Sequence, residues 1–350
     1  MSALLTEVAE LVPWMQSRAE GLDRDSAFPT EDIDRLRRAG ALSPILPVRD
    51  LTATEALASL LSLVGQGNLS VGRILEAHIN ALHLIARFLG VTKPDAGALY
   101  GLWVTDPPAD GLTMRRIGNR ILFSGGKQFC SGAGHVTAAL LTARDQHGDT
   151  NMVVLPLGIG ETVTPLPSPL QGMRAAVTGA VDFTGCETSA ENLLGQAGDY
   201  LLEPDFSAGA WRGSAVALGG LIALVEQAAA QLRQTGRLDN PHAQARLGEA
   251  IMARETSRLW VLSAARTAED SAADTAHRVA AAGLARIAVE TNCLDAMRLL
   301  QRSLGLSAFR LGNPIELICR DLSTYLRQPA PDEVLTEAAL WFADHPGVGL

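Results

Sequence analysis

The chain has almost no lysine. Lys93 and Lys127 are the only two among 29 basic residues, so chemistry that needs a Schiff base has two possible positions. The remaining basic residues are arginines, scattered rather than gathered into runs, and the formal net charge is -9. That balance excludes the positive footprint on which nucleic-acid binding depends. Cysteine is scarce as well. Cys130, Cys186, Cys293 and Cys319 stand far apart, with neither a Cys-x-x-Cys pair nor a Cys/His metal spacing, and read as free thiols of a reducing compartment. No Gly-x-x-x-x-Gly-Lys-Ser/Thr loop occurs, and the nearest approach to a dinucleotide fingerprint, Gly132-Ala133-Gly134, lacks the third glycine and the helix that should follow. The seven histidines are isolated, without His-Glu-x-x-His, and no Gly-x-Ser-x-Gly elbow is present, which removes support for zinc hydrolysis and α/β-hydrolase chemistry.

The first residues lack a basic segment and carry Glu7 and Glu10, unlike a secretory signal, so the expected location is cytoplasmic. The most apolar run, Ala215 to Leu232, is interrupted by Glu226, Gln227 and Gln231 and reads as a helix buried in a bundle rather than a membrane span.

What is present is a change of texture along 350 residues that are 47% apolar and 19% charged, values of a globular chain with a substantial core. Up to about Gly90 apolar residues recur at helical spacing, as in Leu57, Leu60, Leu61, Val64 and then Ile74, Leu75, His78, Ile79, Leu82. Asn68 and Ser70 are cap candidates for the third helix, and Gly90 with Pro94 closes it. His78 on that stripe reads as a satisfied core histidine. From Leu99 to Gly195 short β-branched and apolar runs alternate with turn formers such as Gly118-Asn119. After Glu203-Pro204-Asp205 the helical period returns, with long segments expected near 206–233, 241–268, 273–304 and 332–343 and an irregular stretch between the last two. The expectation is an α+β multidomain chain: an N-terminal helical domain over 1–98, a central antiparallel β-barrel or sandwich over 99–203, and a C-terminal four-helix bundle over 204–350.

Two segments carry chemistry. Trp103-Val104-Thr105-Asp106-Pro107 and Gly126-Lys127-Gln128-Phe129-Cys130-Ser131-Gly132 are apolar strands that end in a hydroxyl residue beside a turn former. Each delivers a donor and open backbone amides to one edge, and Phe129 adds a face for stacking. Such an edge suits a planar, electron-poor ring, that is, a flavin; ordinary hairpin edges also carry these residue types. Candidate carboxylates are Glu255, which shares a helical stripe with Leu247, Ile251 and Leu259 but has Arg258 three residues on, and Asp332 with Glu333, which also suit a helix cap and its dipole.

The order of elements and these motifs together resemble the acyl-CoA dehydrogenase family from about residue 30 to 343. Trp103-Val104-Thr105-Asp106-Pro107 is similar to the family's segment ending in Thr-Glu-Pro, and Lys127-Gln128-Phe129-Cys130-Ser131 to its Lys-x-Trp-Ile-Thr. Gly172-Met173-Arg174, Val181-Asp182-Phe183, Asn192-Leu193-Leu194-Gly195 and Arg320-Asp321 follow in the family's order. The resemblance implies non-covalent FAD, held by Trp103, Val104, Thr105, Phe129, Cys130 and Ser131, and a homodimer or homotetramer in which Arg233 (or Arg237), Gln301 and Gly305 approach the neighbour's cofactor. The family's Arg-x-x-Phe-Gly motif is absent. So is the catalytic glutamate: its place falls near Gln328-Pro329, and the alternative place near Ala210-Trp211-Arg212 has no carboxylate either. General-base help is worth roughly 10²–10⁴-fold. Three functions are therefore expected in competition: an acyl-CoA dehydrogenase-like oxidoreductase acting on a CH-CH bond with a displaced base (Glu255, Asp332 or Glu333), a flavin-dependent monooxygenase on the same fold acting on a small molecule, and a non-catalytic homologue serving as a binding subunit.

Overall fold

The structure, a computed structural model, describes residues 2–43, 51–89 and 97–349; Lys93, Gly90 and Pro94 lie outside the described residues. Helices α1 (Ser2–Asp25), α2 (Thr30–Arg38), α3 (Leu51–Gly67) and α4 (Leu69–Leu89) come first. The Asn68 carboxamide oxygen caps α4, accepting from Ser70 N at 2.8 Å and Val71 N at 3.3 Å, and so satisfies two of the donors a helix start leaves free. His78 is a core histidine as expected, 1% exposed. Its Nε2 faces the Leu42 carbonyl at 3.0 Å and its Nδ1 accepts from Tyr100 N at 3.0 Å, so one imidazole joins α4 to the first strand. Burial holds its pKa below the ordinary value.

Strands β1 (Tyr100–Trp103), β2 (Thr113–Ile117), β3 (Arg120–Ser124), β4 (Gly126–Cys130), β5 (Ala138–Arg144), β6 (Thr150–Pro156), β7 (Thr162–Pro165), β8 (Gly179–Asp182), β9 (Glu187–Ser189) and β10 (Leu193–Leu194) form two sheets. The larger runs β10-β6-β5-β2-β3-β9 with β1 also on β5, and the smaller runs β4-β8-β7. The β2–β3 hairpin turns at Gly118-Asn119, with Gly118 at φ 61°. The expectation of a purely antiparallel domain needs correcting: β1 and β2 both lie parallel to β5. The chain leaves β1, builds a hairpin and β4, and returns alongside β1 in the same direction, the long crossover that parallel pairing requires.

The bundle contains α5 (Ala210–Gln234), α6 (Pro241–Glu269), α7 (Thr275–Leu304), α8 (Pro314–Tyr325) and α9 (Pro331–Asp344). Helix α5 is long and apolar enough by composition to cross a membrane, yet 67% of its most apolar window is buried inside the protein. It crosses α3 at backbone contact: a Cβ on Gly219 would stand 2.1 Å from the Ser62 carbonyl oxygen, and one on Gly65 2.3 Å from that of Val216. Helix α8 occupies the stretch expected to be irregular. Its Asn313 cap accepts from Ile315 N at 2.9 Å, and Ile315, Cys319, Leu322 and Tyr325 bury one face, packing on α5 while α9 packs on α7.

Candidate functional site

The two motif segments meet. Gln128 N donates to the Thr105 carbonyl at 3.0 Å, and the Trp103 indole N–H donates to the Ser131 carbonyl at 3.0 Å. Beneath them Lys127, 2% exposed, donates to Asp106 Oδ1 at 2.6 Å, Thr142 Oγ1 at 2.9 Å and the Val104 carbonyl at 3.4 Å. Burial pulls its pKa down and Asp106 opposes this. An ammonium with these three acceptors is a pin between the end of β1 and β5, not a free amine.

At the end of β4 the ladder bulges. Lys127 faces Val181 and Cys130 faces Gly179, so two residues, Gln128 and Phe129, oppose one. Phe129 takes φ 55° and is 49% exposed. An aromatic residue in the left-handed region is strained, and bulges of this kind re-aim side chains beside functional sites. Thr105 is exposed, Cys130 is fully buried with its thiol pushed up to about 12 by burial, and Ser131 is 8% exposed. Gly132, at φ 72°, follows; a Cβ there would stand 2.7 Å from Val136 and 3.3 Å from Ile74 of α4. The left-handed backbone and the Val136 methyl favour glycine at this strand end.

Ser131 is also held from the bundle. Gly132 N donates to the Ala176 carbonyl at 2.8 Å, and Met173 N donates to the Asp321 carboxylate of α8 at 2.6 Å. Arg320 bridges Asp23 of α1 at 2.8 Å and Glu316 at 2.8 Å. The Arg-Asp pair thus clamps the 172–176 segment, which in turn holds Gly132.

Arg73 Nε of α4 approaches Ser131 Oγ at 3.4 Å and leads into a cavity of about 100 Å³ between α4, α5, α7 and the end of α8. Its lining includes Arg73, Glu76, Ala210, Gly213, Tyr325 and Gln328. Both places where the resemblance puts a catalytic base, near Gln328 and near Ala210, therefore face one cavity, and neither offers a carboxylate. The carboxylates that do line it are engaged: Glu76 with Arg73 and, at 2.5 Å, with Asn80; Glu290 with Arg327 at 2.5 Å. Asn80 Oδ1 accepts from Arg212 at 3.0 Å, and Arg212 bonds Glu269 at 2.5 Å. Arg73, Glu76, Asn80, His83 and Arg87 thus form a polar stripe at three-to-four spacing on α4, with His83 and Arg87 meeting Asp205 at 3.3 and 3.2 Å. Sequence reasoning passed over Arg73, Glu76 and Tyr325; the legible signal was this stripe on an otherwise apolar helix. A groove of about 730 Å³ between α1 and 311–320 is larger, but Ser131 has no part in it.

The other expected residues lie apart. Glu255 lies half-buried on α6 between Arg258 and Arg254, each 2.9 Å away, and Arg258 foremost holds its carboxyl below the usual range. Asp332 and Glu333 stand exposed in the first turn of α9, whose capping position is Ala330. Arg233 is exposed in the last turn of α5; Gln301 lies in the last turn of α7, and Gly305, at φ 64°, ends that helix. Arg237 caps α7 through the Ser303 carbonyl at 3.3 Å. None of these lines the cavity beside Ser131.

No protein-family profile matches the chain. It is 26% identical over 218 residues to the mitochondrial short-chain specific acyl-CoA dehydrogenase of Rattus norvegicus, over 54% of this chain and 50% of that protein. The matched stretch spans about half the length of that relative. Among solved structures, TdsC of Paenibacillus sp. A11-2, a dibenzothiophene monooxygenase seen with FMN and indole, is 17% identical with a TM-score of 0.85 over 98% of both chains. KijD3, seen with FMN and a dTDP-linked amino keto sugar, is 20% identical with a TM-score of 0.83 over 97% of this chain and 93% of that one. By the arrangement of its helices and sheets over nearly its whole length, the chain has the acyl-CoA dehydrogenase-like flavoprotein fold.

Proposed function

We propose that the protein binds a flavin at the edge made by Thr105, Phe129 and Ser131 and acts as a flavin-dependent monooxygenase on a small molecule held in the Arg73–Tyr325 cavity. The residues fit such a group: a half-exposed phenyl ring aimed by a bulge, an exposed threonine beside it, and a serine anchored from three sides. A bound flavin supplies two-electron redox chemistry and, when reduced, activation of dioxygen. In the net reaction the substrate gains one oxygen atom, the other leaves as water, and the electrons and protons come from reduced flavin. The protein's part is to orient the ring with Ser131 and Phe129, to keep bulk water from the cavity, and to hold the substrate there.

The observation that carries this reading is that every carboxylate lining the cavity is ion-paired, so α-proton removal from an acyl thioester has no free base. The FMN bound to TdsC and KijD3 supports FMN beside the FAD that the family resemblance implies. One observation favours the dehydrogenase reading instead: Glu76 does line the cavity, and would serve as base if it left Arg73. We further propose at least a dimer, supported by Leu306, Phe309 and Leu311, exposed by 82%, 58% and 86% on the α7–α8 connection.

The test is reconstitution with FMN and with FAD, followed by absorbance and oxygen uptake. Oxygen consumption that requires reduced flavin is the expected result. Bleaching of bound flavin by a short acyl-CoA without oxygen would favour the dehydrogenase, and failure to take up either flavin would leave a non-catalytic homologue.

A further inference from the structure

The polar side chains around the cavity are nearly all satisfied within the protein. Arg73 and Glu76 hold each other, Ser214 Oγ donates to the Ala210 carbonyl at 3.2 Å, Gln328 Nε2 donates to the Tyr325 carbonyl at 2.8 Å, and Glu290 is taken by Arg327. Two groups stand out. The Tyr325 hydroxyl is buried, on a residue 6% exposed, and has no hydrogen-bond partner among the described residues. The Arg286 guanidinium donates to the Pro329 carbonyl at 2.6 Å through Nη2, but its Nε is likewise buried and unpartnered. Leaving a buried hydroxyl unpaired costs roughly 1–3 kcal/mol, so a native protein keeps one where something else completes it.

Both orphans point to the same chemistry. A guanidinium only donates, and burial with the nearby Glu76 charge keeps the phenol in its neutral, donating form. The missing partner is therefore an acceptor. The rest of the wall is small and apolar, with Gly213, Ala217, Val289 and Leu326. At about 100 Å³ the space is smaller than a cavity of roughly 150 Å³ that holds a benzene ring, so it suits a compact head group and not a fused ring system.

We propose that this cavity is the seat of a compact carbonyl or carboxylate group of the substrate, its oxygen accepting from the Tyr325 hydroxyl with the Arg286 guanidinium as second donor. Tyr325 is thus a specificity-determining residue. As a substrate seat it rests on the flavin reading, because the Arg73–Ser131 contact is what puts the cavity beside the proposed ring. The glycine at 213 keeps the seat open: a Cβ there would stand 3.5 Å from the Tyr325 hydroxyl oxygen, an ordinary contact that leaves the fold intact while crowding the hydroxyl.

Calorimetry on flavin-incubated protein with isobutyrate, isobutyramide and isobutylamine tests the proposal. The first two present an acceptor oxygen, charged and neutral respectively, and the third presents none. At least one of the first two should bind and isobutylamine should not; which of the two binds distinguishes carboxylate from carbonyl. Tyr325→Phe should weaken that binding about five- to tenfold, as expected for one hydrogen bond to a buried acceptor, and Gly213→Ala should weaken it too. In the absence of probe Tyr325→Phe should melt no lower than the parent, since the lost hydroxyl has no partner to forfeit. Absence of binding by both oxygen probes, equal binding to Tyr325→Phe, or a Tyr325→Phe variant several degrees less stable without probe would overturn the proposal. Flavin uptake is scored separately by absorbance. A protein that takes flavin but no probe sinks the seat alone; one that binds isobutyrate through Tyr325 but takes no flavin sinks the flavin reading alone.

Discussion

Ser131 has its carbonyl taken by the Trp103 indole and its hydroxyl approached by Arg73, so its side chain is fixed before any ring arrives. Ser131→Ala should weaken flavin binding by about 1 kcal/mol, close to fivefold in dissociation constant; a fluorescence titration giving the parental value would take Ser131 out of the site. Lys127 is a different case. Lys127→Met removes the buried donor shared by Asp106, Thr142 and the Val104 carbonyl. Asp106 is a third exposed and keeps Arg144 at 3.8 Å, so the expected loss is the cost of buried acceptors left unpaired, about 1–3 kcal/mol, visible in urea unfolding. Asp321 sets a pH dependence. Burial pushes its carboxyl up to about 7, against the Met173 N–H that favours the charged form. Unfolded, the same group titrates near about 4, so the folded protein holds a proton there that the unfolded chain has lost. Its contribution to stability is full in acid and is lost as pH rises through about 7. Asp321→Asn should flatten this fall in melting temperature between about pH 5 and pH 8. Some of this was legible beforehand: Glu255 sits three residues from Arg258, and the pair forms. The burial of Lys127 was not, because its partners Asp106 and Thr142 come from the segment after β1 and from β5.

At the level of elements, periodicity located the long helices because a buried stripe repeats every three to four residues within one segment. Helix α8 shows the limit. Its stripe of Ile315, Cys319, Leu322 and Tyr325 is short and includes the buried Asp321, and a polar residue on the inner face hides the pattern until the Met173 amide that satisfies it is known. The parallel pairing of β1 and β2 with β5 was equally out of reach, since alternation reports burial and not strand direction. The α3–α5 crossing gives a test at this scale. Gly219→Ala would put a methyl 2.1 Å from the Ser62 carbonyl oxygen, forcing the helices apart at a cost of about 1–3 kcal/mol or more. Circular-dichroism melting should show a drop of several degrees, and Gly65→Ala, which meets α5 at the Val216 carbonyl, should not add to it independently.

For the whole molecule, the proposed self-association draws on the exposed apolar residues Leu306, Phe309 and Leu311. Light scattering should give a solution mass of at least two 37.0 kDa chains; a monomer at micromolar concentration would remove the proposal that Arg233, Gln301 and Gly305 serve a neighbour's cofactor. The succession of helical, strand and helical segments was readable from texture, and the motifs supplied the resemblance. The cavity was not readable. It is made by Arg73 of α4, Gly213 of α5, Arg286 of α7 and Tyr325 of α8, residues separated by long stretches of chain.

Local chemistry in the chain was enough to specify which segments coil, which extend, where Asn68 and Gly118 punctuate them, and that two strand ends carry a hydroxyl and a ring. Those are properties of neighbours along the backbone, expressed as periodicity and turn preference. Packing alone made Tyr325 an unpaired donor, brought Arg212 to Asn80 and pinned Lys127 in place. Each of these depends on the distance and burial of groups that topology brings together, and neither quantity is encoded within one segment.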